Sequence, residues 1–188
     1  MAVTTLDPQT ALLVIDVQNG IRAIPAVHPI DEIVTRASAL ADAFRAHGLP
    51  VVLVTVAGAP VGRTEQGRRG GQPPAGWADL VPALNRQPDD HTVAKRTWGA
   101  FHETGLDEHL KKRGVTQVVI AGVATSIGVE STARQAHDHG FNVTLAVDAM
   151  TDANPDAHTN SITRIFPRLG ETGTTEEIIA LLDRTRGA

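Results

Sequence analysis

Three residues stand where the chain leaves a predicted strand, and an acid, a lysine and a glycine so placed could divide an acid–base reaction between them. Asp16 ends the apolar run Ala11–Asp16 (ALLVID), and Lys95 follows Thr92-Val93-Ala94. Gly128 lies just past Val118–Val123 (VVIAGV), in a tight turn that leads into a helix. In a parallel sheet the C-terminal ends of the strands gather on one edge, where ligands bind. A helix N-terminus at that edge offers unpaired N–H groups and the positive end of its dipole. A carboxylate that closes a buried strand must be paired, hydrogen-bonded or protonated; the alternative for Asp16 is an N-cap or a partner for a backbone turn. Lys95 on its own reads as a surface lysine and gains weight from its company. Burial raises the pKa of such an acid and a nearby ammonium lowers it, so the larger effect decides its state. Gly128 also fits a strand-to-helix turn that needs glycine's backbone freedom, and Gln18 either orients water or substrate or is a turn residue.

The chain holds no cysteine, which excludes a thiol nucleophile, a disulfide and a thiolate metal site. Ser126 lacks a histidine placed to activate it, so Ser126 or Thr125 reads as an N-cap. Arg63, Arg68 and Arg69, in the Gly- and Pro-rich segment Gly58–Gln87, are candidate carboxylate clamps, although each alone is more often solvated. His137 and His139 are two apart on a predicted helix, so their side chains diverge. No metal and no cofactor are expected.

The elements that must position these residues follow from periodicity. Ala11–Asp16, Pro50–Val56, Val118–Val123 and Val143–Val147 are nearly continuous apolar runs, the pattern of strands buried on both faces. Ile30, Ile33, Val34, Ala37, Leu40, Ala41 and Phe44 recur at spacings of three and four and mark a crossover helix that Gly48 ends. A second helix opens at Thr104–Asp107 and a third carries Val129, Ala133 and Ala136 inward. The last begins at the capping box Thr174–Glu177. Alternating strand and helix predict an α/β fold, a mostly parallel sheet covered by helices on both sides, in a single domain over residues 1–188. Gly58–Gln87 interrupts the alternation and reads as a lid or binding loop, packed at most around Trp77–Leu84.

With 188 residues the chain can bury a substantial core. A net charge of −4, short basic clusters and few aromatics argue against a nucleic-acid partner. No apolar run is long enough to span a bilayer and no leader pattern opens the chain, so a cytoplasmic protein without a membrane partner is expected.

LLVIDVQ (Leu12–Gln18), AKRTWGAF (Ala94–Phe101) and AGVATSIGVESTARQA (Ala121–Ala136), followed by VDAMTD (Val147–Asp152), together resemble the isochorismatase-like hydrolase superfamily, which includes isochorismatases, nicotinamidases and related amidases. The match runs in order along nearly the whole chain. It implies a three-layer α/β/α sandwich. Amidase members use Asp, Lys and Cys with a cis peptide near the cysteine; by resemblance Asp16, Lys95 and the Val123–Ala124 bond take the first three places, and Gly128 stands where the cysteine would be. Isochorismatases also commonly carry glycine there. They cleave a vinyl ether: an acid protonates the terminal alkene carbon, water adds to the oxocarbenium-like centre, and pyruvate leaves without a covalent intermediate.

The roles implied are Asp16 as general acid, Lys95 as its orienting cation, and the N–H groups around Ile127 and Gly128 as holders of a carboxylate or water. Gln18, Arg63, Ile127, Val123 and Ala124 would contact a small carboxylate-bearing substrate. Metal-dependent nicotinamidases carry Asp-x-His after their second strand, whereas Val54–Gln66 (VTVAGAPVGRTEQ) has no histidine. GVATSIG departs from dedicated isochorismatases at the two residues after Val123, which leaves the substrate open. Two rivals stand beside this reading: an amide or imide hydrolase with Asp16 as base, and a small-molecule-binding member without turnover. The resemblance also implies a homodimer or higher homo-oligomer.

Overall fold

The structure is a computed structural model and describes residues 3–60, 62–65 and 73–186. The apolar runs become β1 (Thr10–Ile15), β2 (Val51–Val56), β4 (Gln117–Val123) and β5 (Asn142–Thr151). With β3 (His91–Lys95) and β6 (Glu171–Gly173) they form one sheet in the order β3-β2-β1-β4-β5-β6, every neighbouring pair parallel. The order reverses between β1 and β4, and such a switch point opens a crevice beyond the strands' C-terminal ends.

Alternation along each strand sends side chains to two cores. Leu12, Val14, Leu53, Val119 and Ala121 pack under α1 (Ile30–Ala46) and, further along the chain, Ile178 and Leu182 of the last helix. Ala11, Leu13, Ile15, Val54, Val118 and Ile120 face α2 (Leu106–Lys112) and α3 (Glu130–Asp138) on the other side. Phe166 closes this second core from α5 (Phe166–Leu169), which follows the short α4 (Pro155–Asn160). The α/β/α sandwich with a parallel central sheet is therefore as expected. The six inward positions predicted for α1 from Ile33 to Phe44 are buried, Ile30 being half-buried at the helix start.

The departures have local causes. β5 continues past Val147 because, after a register shift between Ile120 and Gly122, Met150 and Thr151 pair with Gly122 and Val123. At the start of α2 the N-cap position falls to Gly105, at φ 71°; the Thr104 hydroxyl donates to the Ala100 carbonyl and accepts the Leu106 N–H at 3.4 Å. The box at α6 (Thr175–Arg186) does form, with Thr174 N–H on Glu177 Oε2 at 2.8 Å and Glu177 N–H on Thr174 Oγ1 at 3.2 Å. The second half of Gly58–Gln87 is pinned to the exit of β1: Gly20 and Asn19 donate to the Trp77 and Asp79 carbonyls, and Val81 and Leu84 are buried. Among the described residues no helix is long and apolar enough to cross a membrane.

Candidate active site

Asp16 is the residue at which β1 ceases to be a strand. Its N–H still donates to Val54 O on β2 at 2.8 Å, but its φ of 53° turns the chain out of the sheet into the left-handed region, which Asp tolerates better than most residues. The turn is cramped from the β4 side. Gly122 there has φ 122°, and any β-carbon on it would collide with the Ile15 carbonyl, so glycine lets the two strands close up beneath Asp16.

Lys95 ends β3, two strands away. Neighbouring strands are spaced by about 4.8 Å, so about 10 Å separates β3 from β1, and a four-methylene side chain is needed to cross beneath the end of β2. It does so almost wholly buried, and Nζ lies 2.8 Å from Asp16 Oδ2 and 3.2 Å from the Thr97 carbonyl. Asp16 Oδ1 is buried with no hydrogen-bond partner among the described residues. Burial outweighs the ammonium here, and the Asp16 carboxyl is pushed up from its ordinary value to about 6.

The third place is filled from the turn after β4. The Val123–Ala124 peptide is cis, and Thr125–Val129 follows as a π-helical turn. This brings Gly128 against the pair: a β-carbon on it would meet Asp16 Oδ2 at 3.1 Å. Asp16, Lys95 and Gly128, far apart in the chain, therefore come together in one site at the switch point. Gly128 does not have a positive φ, so the expectation that its backbone demands glycine is corrected; a β-carbon there would need its neighbours to yield by a few tenths of an ångström.

Other expectations fare differently. Gln18 is completely buried, and its amide is spent on backbone: Nε2 donates to the Val56 and Trp77 carbonyls and Oε1 accepts the Val56 N–H. It staples the loop to the sheet and does not reach the site as a ligand-orienting group. The Ile127 N–H donates to Ala124 O at 3.1 Å, so it is not open to a ligand, although the Ile127 side chain is exposed at the rim. Val123 is buried and Ala124 half-buried at the wall. Neither Thr125 nor Ser126 is an N-cap; the residue there is Ala124. Arg63 is exposed, and Arg68 and Arg69 lie outside the described residues.

Asp152 and His158 escaped the sequence reading. Asp152, 4% exposed just after β5, accepts Ser126 N–H and Oγ–H on one oxygen at 2.7 and 2.8 Å and Asn154 N–H on the other at 3.1 Å. It thereby clamps the turn that carries Gly128. The residues before it, Asp148 to Thr151, already include an acid and a threonine, so no apolar run singles Asp152 out as one does Asp16. His158 Nδ1 lies 2.8 Å from Thr125 Oγ1, and burial lowers its pKa; nothing local in its sequence marks it.

A parallel α/β sandwich with a buried acid–lysine pair at its switch point has the architecture of a small-molecule enzyme. An Isochorismatase domain model matches residues 10–177. The chain is 41% identical to the uncharacterized isochorismatase family protein YwoC of Bacillus subtilis, over 91% of this chain and 93% of that one. It is also 41% identical to the uncharacterized isochorismatase family protein YecD of Escherichia coli O157:H7, over 92% and 96%. A solved isochorismatase family protein from Burkholderia thailandensis superposes with a TM-score of 0.90 at 40% identity, covering 97% of this chain and all of that one. The chain belongs to the isochorismatase family of hydrolases.

Proposed function

We propose that the chain hydrolyses a small carboxylate-bearing substrate through Asp16 and water, with no covalent enzyme intermediate, and that cleavage of a vinyl ether such as isochorismate is the first reaction to test. The observation that carries this reading is the state of Asp16: a buried carboxyl with a pKa of about 6, one oxygen held by Lys95 and the other without a partner among the described residues. A substrate that seals the site removes more water and favours the protonated form further. The proton passes from Asp16 to the terminal alkene carbon, water adds to the oxocarbenium centre and returns a proton to the Asp16 carboxylate, and the hemiketal, its hydroxyl proton passing to the departing oxygen, collapses to pyruvate and a dihydrodiol acid. Lys95 faces the carboxylate that the first transfer leaves behind. The room left by Gly128 beside Asp16 would take the reacting atoms. Cationic compensation for the substrate would come from the long loop, with Arg63, Arg68 and Arg69 as candidates; each Ala variant should be tested for a KM raised by about tenfold or more.

A second reading is supported by the same carboxyl. With a pKa of about 6, most of Asp16 is ionised at neutral pH, and its unpartnered Oδ1 could take a proton from water attacking an amide or imide. Purified protein incubated with isochorismate and assayed for pyruvate separates these readings: release supports the ether reaction, and saturable binding without release favours a member that binds without turnover. Self-association as a homodimer or larger assembly belongs to the same proposal, and a monomeric mass by light scattering at micromolar concentration would contradict it.

A further inference from the structure

Among the cavities of the described residues, one of about 700 Å³ lies at the edge of the sheet opposite Asp16, where β2 and β3 begin and α1 and α2 end. That volume is typical of a small-ligand pocket. His91 and His109 stack in its wall with ring centroids 3.6 Å apart and planes within 12°, and His109 Nε2 is buried without a hydrogen-bond partner among the described residues. Arg113, exposed at the end of α2, lines the same cavity. Burial and the positive charge of Arg113 hold both rings in their neutral form, and on His109 the neighbouring ring and Lys112 add to the effect.

Two of the other charges in the wall are paired with each other. Arg45 is saturated, with Nε and Nη2 on Asp90, Nη1 on Asp42 and Nη2 also on the Leu84 carbonyl. Asp90 is spent on Arg45 and the Gln87 N–H. Asp89 is an exposed carboxylate of the lining. Basic residues in a last helical turn are favoured by the helix dipole, by about 0.3–1 kcal/mol each. That accounts for Arg113 or His109 singly. It does not account for two imidazoles pressed flat together beside a guanidinium, one with an orphaned ring nitrogen.

We propose that this cavity is a second ligand site, which takes a small molecule's phosphate or carboxylate group between Arg113 and the His91–His109 stack. The guanidinium matches an oxyanion with two parallel N–H donors, and the rings supply further N–H donors once protonated. A metal cation fits poorly, because parallel rings aim their lone pairs side by side and Arg113 repels it. Binding is linked to protons: an anion raises the proton affinity of both imidazoles, so an anion whose own charge stays constant binds more tightly as pH falls.

The test is a titration of the full chain with inorganic phosphate and, separately, malonate, followed through the histidine ring signals in ¹H–¹⁵N spectra at about pH 6 and 7.5. Saturable shifts of the His91 and His109 rings, with malonate tighter by about threefold or more at the lower pH, are expected. Saturation by phosphate alone, or by malonate alone, assigns the group recognised. Arg113→Ala should weaken binding by about tenfold, while Arg113→Lys keeps the charge and loses less. No saturable shift with either anion at tens of millimolar would overturn the proposal, as would unchanged affinity in Arg113→Ala.

Discussion

Gly128 presses so closely on Asp16 that a β-carbon would stand 3.1 Å from Oδ2, with Ile15 Cγ2 and the Val123 carbonyl oxygen each at 3.2 Å. Contacts this tight make the neighbours yield slightly but do not forbid the side chain. We expect Gly128→Ala to fold, to lose about 1 kcal/mol in urea denaturation from overpacking, and to lower kcat/KM by about tenfold or more. Full activity in that variant would show that the space is not used. Gly128→Cys should not yield an efficient amidase, because the thiol would occupy room we assign to water and substrate; robust nicotinamide hydrolysis would contradict this.

Asp16→Asn removes the titrating carboxyl while keeping the side chain's shape, so turnover should vanish with the circular dichroism spectrum unchanged. The pH profile then tells acid from base. With a carboxyl pKa of about 6, the acid form is roughly a tenth of the whole at pH 7. If Asp16 is the acid, kcat/KM should fall about tenfold per pH unit above about 6; if it is the base, kcat/KM should rise through the same region to a plateau.

The parts of this site legible in the sequence are those written locally. Asp16 closes an apolar run, and β1 and β4 are recognisable because both faces are buried. The contact between Asp16 and Lys95 is of another kind: it exists because β3 lies two strands from β1, and no local pattern encodes strand order. Gln18 failed for the same reason, since its partners Val56 and Trp77 are 38 and 59 residues away. β6, three residues long, is too short to carry a period, and the π-helical turn that turns Ser126 toward Asp152 leaves no periodic trace.

Lys95→Met should expose the cost of burying Asp16. The folded carboxyl binds its proton more tightly than the unfolded one, so this group's contribution is present at low pH and falls away as pH rises from 3.8 through about 6. Without the ammonium the folded pKa climbs further, and the loss deepens on the alkaline side. We expect the variant to be less stable than the parent by about 3 kcal/mol at pH 8 and by under about 1 kcal/mol at pH 5. Equal deficits at both pH values, measured by urea denaturation, would mean that Lys95 supports the fold by packing and not by charge.

Asp152 acts on the site through the turn after β4, and its variants should separate two kinds of bond. Ser126→Ala deletes one hydroxyl donor but leaves the Ser126 N–H on Asp152 Oδ2 at 2.7 Å, so the turn keeps its anchor and activity should stay within about threefold of the parent. That outcome would also dispose of Ser126 as a nucleophile, whose loss would cost orders of magnitude. Asp152→Ala strips the partner from two backbone N–H groups, those of Ser126 and Asn154, and from the hydroxyl. It should lose about 1–3 kcal/mol of stability and lower kcat more than it raises KM. The midpoint of the pH profile should not move with it, because Asp152 holds Gly128 in place and the titrating group is Asp16. A shifted midpoint would mean that the two carboxylates are coupled directly.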